Sequence, residues 1–367
     1  MSPPVMQLSA VPESWDQATT GELVLTSGEL AMMNLQAQID GQKLQLESGR
    51  RGTVEAQAEL VELVALRGQV LGRIDDYEWC TDRAEQLARD APAHGAAFVA
   101  RARACARFHR FTDALLDLDE AQRLGADPAA VDDERAGIYQ AIGRYESALA
   151  IYRRATQWRA DFNSVGNLAT LHAERGDIST AEPLFDETRA RYRGVSPFPL
   201  AVLDFQRGHM WLTQGDLPRA RTWFESALRR LPAYAPAQGH LAEVEAALGE
   251  REAAIARLRR LMTSSDDPDY AATLARILKE AARAEEAREW RNQAAARYEN
   301  LLAHHPEAFA DHAAEFWMSA GADPERAVRL AKMNLEVRQT ARAQQLFARA
   351  CSLVAGHRAE LARGWMV

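Results

Sequence analysis

Residues 202–232 read VLDFQRGHMWLTQGDLPRARTWFESALRRLP, and Gly215 divides them into two segments of helical length. In the second segment Ala220, Phe224 and Ala227 are spaced by four and three residues, so they share one face of an α-helix. Gly215 can adopt the left-handed conformation that ends the first helix. The stretch therefore predicts two antiparallel helices that approach each other most closely at the small side chain of Ala220.

The same pattern recurs along the chain, with an alanine five residues after the glycine in the stronger copies. The alanines at this position are Ala114, Ala148, Ala181, Ala220, Ala254, Ala287 and Ala327. Successive members are 34, 33, 39, 34, 33 and 40 residues apart, and His109 replaces the glycine in the first of these copies. A period of about 34 residues predicts one helix pair per repeat and a solenoid of stacked pairs.

This pattern resembles the tetratricopeptide-repeat family, of the bacterial type. The residues of the best copy that fall on the family's signature positions are Gly208, Trp211, Gly215, Ala220, Phe224, Ala227 and Pro232. The resemblance covers residues 55–367 in about nine helix pairs, the first degenerate and the last truncated, which start near residues 58, 95, 129, 162, 201, 235, 268, 308 and 342. It implies an all-α fold, a right-handed superhelical solenoid of antiparallel helix pairs whose first helices line a concave groove.

Three segments depart from the repeat. Residues 1–28 show no period and are predicted to form an irregular tail, and residues 29–54 are predicted to form an additional helix and a linker. The extra residues between Ala181 and Ala220 fall at residues 193–199, where we expect a longer loop. A hinge or a lid over the groove is the alternative, because long loops in compact repeats are often functional.

The composition limits the classes of function. A net charge of −8 and a pI near 5.7 argue against a general nucleic-acid binder, whose surface would be basic. No stretch is long and apolar enough for a membrane span, so no membrane insertion is expected. The first residues lack the pattern of a signal peptide, which favours the cytoplasm, with a periplasmic or secreted location as the alternative if a signal peptide has been removed.

Few residues suggest catalytic or metal chemistry. No nucleotide-binding, metalloprotease or nucleophile-elbow motif occurs, and the three cysteines are widely spaced, so we expect neither a cofactor nor an enzyme. In residues 304–312, His305, Asp311 and His312 could bind Ni²⁺ or Zn²⁺. The favoured interpretation of this histidine-rich region is structural, because a helix C-terminus stabilises a partly positive imidazole.

The register of the family's first helices implies which side chains face the groove. They are Arg103, Arg107, Asp133, Gln140, Asn163, Asn167, Thr170, Gln206, His209, His240, Glu243, Arg276, Lys279, His312 and Phe316. The amides in the middle of this set can hold an extended peptide backbone, and the flanking arginines can take a partner's carboxylates. The histidines would add positive charge at a pH below the usual imidazole pKa.

We therefore expect a non-enzymatic scaffold that binds a protein or peptide in the groove. Two alternatives stay open: a metal-linked accessory protein that uses the histidine-rich region, and a small-molecule-binding or catalytic protein that uses the groove as a pocket. The basic clamp of chaperone-associated family members is not reproduced, because Val99 and Arg103 occupy its positions. The truncated last repeat, at residues 361–367, predicts an apolar edge through which the chain could form a homo-oligomer.

Overall fold

The structure is a computed structural model that describes residues 24–48 and 52–364. Most of the predicted N-terminal tail, residues 1–23, and the last three residues, 365–367, lie outside the described residues. Within the described part the chain forms 18 α-helices and no β-strand, which confirms the predicted all-α fold. None of these helices is both long and apolar enough to cross a membrane.

One helix precedes a regular series of helix pairs. The first half contains α1 (Gly28–Glu47), α2 (Val54–Leu71), α3 (Ile74–Asp90), α4 (Gly95–Arg107), α5 (Phe111–Arg123), α6 (Pro128–Ala141), α7 (Tyr145–Trp158), α8 (Phe162–Glu174) and α9 (Ile178–Arg191). The second half contains α10 (Phe198–Thr213), α11 (Leu217–Arg230), α12 (Ala235–Ala247), α13 (Arg251–Leu261), α14 (Pro268–Glu280), α15 (Ala284–His304), α16 (Pro306–Met318), α17 (Pro324–Val337) and α18 (Ala341–Gly364). From α2 onward, even-numbered helices are the first and odd-numbered helices the second members of the pairs.

The two helices of each pair meet at the repeated alanines. Six of the seven alanines are fully buried, and the seventh, Ala287, is 7% exposed. Between α10 and α11 a Cβ atom placed on Gly208 would lie 2.8 Å from the ring of Phe224. Gly208 therefore sets the distance between the two helices at Phe224, one turn from the fully buried Ala220.

The turn inside each helix pair keeps one backbone conformation. The residues with positive φ at these turns are Gly72, His109, Gly143, Gly176, Gly215, Gly249, Ala282 and Ala322. His109, Ala282 and Ala322 adopt φ values of 56°, 60° and 55° without the conformational freedom of glycine. Left-handed backbone costs a non-glycine residue roughly 1–2 kcal/mol. The packing of the two helices must compensate for this cost at the three turns.

The additional N-terminal helix is present as α1. Its Leu35 and Ile39 are buried against α2. At its first residue, a Cβ atom placed on Gly28 would lie 2.6 Å from the carbonyl oxygen of Arg230, so α1 also reaches the end of α11. This helix therefore joins the start of the solenoid to its middle.

The two insertions into the repeat take different forms. The first, predicted at residues 193–199, forms a longer loop at residues 192–197 between α9 and α10, and residues 198 and 199 begin α10 instead. Its Val195 carbonyl accepts a hydrogen bond from the Thr26 N–H at 2.8 Å, so the loop holds the chain segment that leads into α1. The second insertion, which accounts for the 40-residue spacing between Ala287 and Ala327, lengthens α15 to 21 residues.

The solenoid curls until its early repeats contact its late ones. Turns inside the first three pairs lie against loops that join later pairs: residues 72–75 against 264–267, 108–109 against 305–307, and 141–143 against 338–340. Contacts in these three places join residues 193, 198 and 197 positions apart. Because the offset is nearly constant, successive turns of the superhelix stack edge to edge. We call this line of contacts the seam.

Polar groups dominate the seam at its first contact. Asp266 accepts hydrogen bonds from the N–H groups of Ile74 at 2.6 Å and Asp75 at 3.1 Å, and so caps α3. At the second contact, the rings of Phe108 and His305 stack with centroids 3.8 Å apart. These contacts close the gap between superhelical turns along the seam.

Candidate binding groove

Arg103 opens the predicted groove on α4, and its charge is already compensated. Its guanidinium lies 2.7 Å from the carboxylate of Glu134 and 3.3 Å from that of Glu62. Arg107, one turn along, places its guanidinium 5.2 Å from the ring centre of Tyr77. The expectation that Arg103 is available for a partner's carboxylate is therefore wrong, because two carboxylates of the neighbouring first helices already bind it.

The next part of the groove, on α6 and α8, carries two carboxylates with neutral partners. The side chain of Asn167 hydrogen-bonds that of Asp133, whose pKa is raised by burial and by the charge of Glu134. Glu174 accepts a hydrogen bond from the Gln140 amide at 2.7 Å. Among the described residues neither Asp133 nor Glu174 forms an ion pair. This part of the concave surface is therefore negative.

Three predicted groove residues form no hydrogen bond, ion pair or ring contact with another side chain of the described chain. They are Asn163 on α8, Gln206 on α10 and Lys279 on α14. Asn163 and Lys279 are exposed, and Gln206 is half-buried. Thr170 differs, because its hydroxyl donates to the Gly166 carbonyl of its own helix. The two amides keep their hydrogen-bonding capacity for another molecule.

Aromatic rings form the floor of the groove between α10 and α12. The ring centre of His209 lies 5.5 Å from that of His240 and 6.4 Å from that of Phe205, and His240 stacks on Phe224 at 5.7 Å. Burial, together with the charge of His240, lowers the pKa of His209 to about 4. His209 is therefore neutral near pH 7, and a positive charge on it requires acidic conditions.

His240 also connects this floor to the next carboxylate. Its Nδ1 lies 2.8 Å from Oε2 of Glu243. Burial raises the pKa of the Glu243 carboxyl, but the hydrogen bond and charge of His240 and the charge of Arg276 outweigh it, so the pKa is lowered overall. Arg276 itself pairs with Glu280 of its own helix at 3.1 Å. The charge of Arg276, the second of the two flanking arginines, is therefore also partly compensated.

A half-buried cluster of charges lies where α14 meets α16, with Asp311 buried and the side chains of His312 and Asp269 42% and 33% exposed. His312 contacts the carboxylate of Asp269 through Nδ1, and its Nε2 lies 3.8 Å from Asp311. The charge of Asp269 is the main cause that raises the pKa of His312 to about 10. Arg338 reaches Asp311 at 3.3 Å. His312 is therefore a protonated member of an internal charge network.

Phe316 was expected in the groove, and this prediction is wrong. It is 2% exposed, and its ring centre lies 5.2 Å from that of Tyr298 in the core. The helix α16 begins at Pro306, two residues before the expected repeat start near residue 308. Because each residue of shift rotates a helix by about 100°, a shift of two moves Phe316 from the groove to the packed face.

The structure separates the residues of the metal alternative. His305 stacks on Phe108, and its Nε2 lies 3.5 Å from a carboxylate oxygen of Glu78, across the seam. Asp311 and His312 belong to the charge network described above. No group of three or more histidine, cysteine or acidic residues in the described part of the chain is arranged to hold a metal ion. The histidine-rich region is thus used by the seam and by this network.

Sequence reasoning missed the carboxylates that complete the groove, and it missed the seam. Glu62 and Asp269 lie on first helices at the same repeat positions as the predicted groove residues, so the register alone contains the signal for them. The seam has no such signal, because its partners lie about two hundred residues apart and belong to different parts of the repeat.

Comparison with known proteins agrees with this architecture. Residues 212–277 match the family model described as tetratricopeptide repeat. The structure of a human IFIT1 dimer with m7Gppp-AAAA shares the fold with a TM-score of 0.54 and 16% identity, over 87% of this chain and 78% of that chain. A tetratricopeptide repeat protein from Parabacteroides merdae gives a TM-score of 0.42 at 14% identity, over 83% of this chain and 99% of that chain. No curated protein sequence matches the chain significantly.

Proposed function

We propose that this tetratricopeptide-repeat chain is a non-enzymatic scaffold, with residues 55–367 acting as one domain that binds an extended protein or peptide segment along its concave surface. The observation that carries the proposal is the set of uncommitted polar side chains on first helices. Asn163 and Gln206 are amides without an internal partner in the described chain, and amides can pair with both the N–H and the C=O of an extended backbone.

The seam supports an extended occupant rather than a folded one. Contacts such as that of Asp266 with Ile74 close the space between superhelical turns. A partner then reaches the concave surface along the axis of the superhelix, and a chain terminus or an unfolded segment is thin enough to do so. A folded domain would have to break the seam first.

Charge supports a neutral or basic partner segment. The Arg103 charge is shared by two glutamates, whereas Asp133 and Glu174 have only neutral hydrogen-bond partners. A lysine or arginine of the bound segment would find uncompensated carboxylates on α6 and α8. The aromatic floor around His209 would meet an apolar side chain of the same segment.

The test is a binding screen with two matched sets of variants. A displayed library of short unstructured peptides would be selected on the full chain, and the affinity of the best binder measured by fluorescence anisotropy. We expect the double variant Asn163→Ala, Gln206→Ala to weaken binding about tenfold or more, since each lost hydrogen bond contributes about 1 kcal/mol. Glu174→Gln should weaken binding selectively for lysine- or arginine-rich peptides.

The control is Arg229→Ala, an exposed position on the second helix α11. It should leave the affinity unchanged, and none of these variants should shift the unfolding midpoint by more than a small amount. If Arg229→Ala weakens binding while the amide double variant does not, the partner uses another face of the solenoid. Selection of acidic peptides would contradict the charge argument.

A further inference from the structure

Two pairs of polar side chains connect the first helices α6 and α8 across the groove. In the first pair the Asp133 side chain is hydrogen-bonded to that of Asn167, and in the second the Gln140 amide donates to Glu174 at 2.7 Å. Asp133 and Gln140 are seven residues apart on α6, and so are Asn167 and Glu174 on α8. Seven residues are nearly two helical turns. The two pairs therefore lie on the same faces of the helices, about 10.5 Å apart along them.

Each pair combines one carboxylate with one neutral amide, and neither carboxylate has a cation. Among the described residues Asp133 and Glu174 form no ion pair. Burial and the charge of Glu134 raise the pKa of Asp133, as expected for a half-buried carboxylate without a positive partner. Glu174 accepts from two neutral donors, the Gln140 amide and the Tyr145 hydroxyl at 3.0 Å. Both pairs are therefore suited to binding an ammonium or a guanidinium group.

The seam indicates how a bound segment runs past the two pairs. It places the turn at the end of α6, residues 141–143, against the loop at the start of α18, residues 338–340. The ends of α2 and α4 meet the starts of α14 and α16 in the same way. First helices of successive superhelical turns thus lie end to end, and they run along the superhelix axis. A segment that follows this axis passes first one pair and then the other.

We propose that α6 and α8 select a partner segment with two basic side chains three residues apart, one bound at each pair, in a polyproline II conformation. This inference rests on the proposed function and specifies the class of segment that is bound. Three residues of polyproline II span about 9.3 Å and bring the side chain back to the same side, because this helix has three residues per turn. In a β-strand, residues on one side are about 7 or 13 Å apart, and both spacings fit the roughly 10.5 Å between the pairs less well.

Hydrogen bonding also favours polyproline II over a β-strand. The described chain contains no β-strand, so a bound strand would have no neighbour with which to pair. Polyproline II has no internal hydrogen bonds and leaves its N–H and C=O groups free. The Asn163 amide, one turn before Asn167 on α8, has no partner in the described chain and can bind these groups.

The spacing is tested with peptides selected on the full chain from a library of short, unstructured sequences rich in proline, alanine and lysine. We expect the selected peptides to carry lysine or arginine pairs at i and i+3 more often than at i and i+2 or i and i+4. In fluorescence anisotropy, moving one lysine of the best peptide to i+2 or i+4 should lower its affinity about fivefold, since one charge contact is lost. Diaminobutyrate in place of lysine shortens the side chain and so sharpens the dependence on spacing.

Variants of the two carboxylates assign each basic side chain to its pair. Asp133→Asn should lower the affinity about fivefold and remove the further loss caused by replacing one peptide lysine with glutamine. Glu174→Gln should do the same for the other lysine. The matched control is Glu252→Gln, at a carboxylate 78% exposed on the second helix α13, which should change neither the affinity nor the preferred spacing.

The outcomes distinguish this inference from the proposed function. Peptides whose affinity depends on Asn163 and Gln206 but on no pair of basic residues would overturn this inference and leave the proposed function intact. A preference for basic residues at i and i+2 or i and i+4, or coupling of both lysines to the same carboxylate, would also overturn this inference alone. Failure of every peptide to bind the chain would overturn the proposed function, and this inference with it.

Discussion

The contact inside a helix pair and the contact across the seam differ in chemistry. Between α10 and α11, the fully buried Phe224 packs on Gly208, and an alanine equivalent to the buried Ala220 recurs in seven of the repeats. Across the seam, the carboxylate of Asp266 and the imidazole of His305 meet groups from a different superhelical turn. The comparison indicates a division of roles. Apolar packing dominates within pairs, whereas the seam combines the polar contacts of Asp266 with a buried apolar cluster of Ile74, Phe108, Leu301 and Ala308, and it determines the shape of the groove.

The largest effect is expected inside a helix pair. Ala220→Leu forces a bulky side chain between α10 and α11 and should destabilise the chain by about 1–3 kcal/mol. Chemical denaturation followed by circular dichroism measures this. The control Ala247→Leu, at an exposed position on α12, should stay within about 0.5 kcal/mol. Equal midpoints for the two variants would contradict the assigned register.

At the seam we expect a smaller and more local effect. Asp266→Ala removes the acceptor of the Ile74 and Asp75 N–H groups and should cost about 1–2 kcal/mol. Hydrogen exchange should then accelerate on both sides of the seam, near residues 72–75 and 264–267.

The matched control for this variant is Asp127→Ala. Asp127 caps α6 through the Ala129 N–H at 3.2 Å, within its own segment. Its removal should accelerate exchange at the start of α6 alone. If Asp266→Ala also changes exchange on one side only, the two superhelical turns are not coupled.

The left-handed turns allow a stabilising substitution. Ala282→Gly should raise the free energy of unfolding by about 1 kcal/mol, because φ at this position is 60°. The neighbouring Ala281→Gly, where φ is −86°, should instead destabilise the chain. Thermal unfolding of the two variants would give shifts of opposite sign, and shifts of the same sign would contradict the turn geometry.

The smallest expected effect is the pH dependence of the seam. Burial is the main cause that lowers the pKa of His109, which Arg338, Asp311 and His312 face, and the pKa of His305, which Glu78, His304 and Arg110 face. A histidine whose folded pKa is depressed stabilises the fold fully above its unfolded value of about 6.5, and this contribution is lost as pH falls below it.

Hydrogen exchange near residues 305–307 should therefore accelerate between about pH 7 and pH 5. His305→Phe keeps a ring stacked on Phe108 but cannot titrate, so it should flatten this dependence. His312 acts with the opposite sign, because its folded pKa is raised to about 10, so its stabilising contribution is full below about pH 6.5 and is lost as pH rises. An identical pH profile for wild type and His305→Phe would contradict the assignment.

Sequence alone was sufficient for the parts of the fold that depend on neighbouring residues. The spacing of Ala220, Phe224 and Ala227 predicted the helix pair and its closest approach, and His109 was recognised at a glycine position that the structure finds left-handed. The groove was harder to predict, because side chains from adjacent repeats compete for the same partners. The charge of Arg103 is one example, since Glu62 and Glu134 both neutralise it.

The seam could not be predicted in the same way. Its position depends on a small rotation between successive helix pairs, which accumulates over several repeats before Asp266 meets Ile74. An error of two residues in register, as at Phe316, already changes which face a side chain occupies. The spacing of residues within one repeat does not give the rotation angle between successive helix pairs. That angle must be known accurately before a contact such as that of Asp266 with Ile74 can be predicted.

The binding face is tested most directly by photo-cross-linking. A photo-reactive amino acid would replace Gln206, on the first helix α10, and in a separate protein Arg229, on the second helix α11. Each protein would be irradiated with the best labelled peptide from the library selection. Binding within the concave groove predicts a covalent adduct at position 206 and none at position 229. An adduct at position 229 without one at position 206 would contradict it.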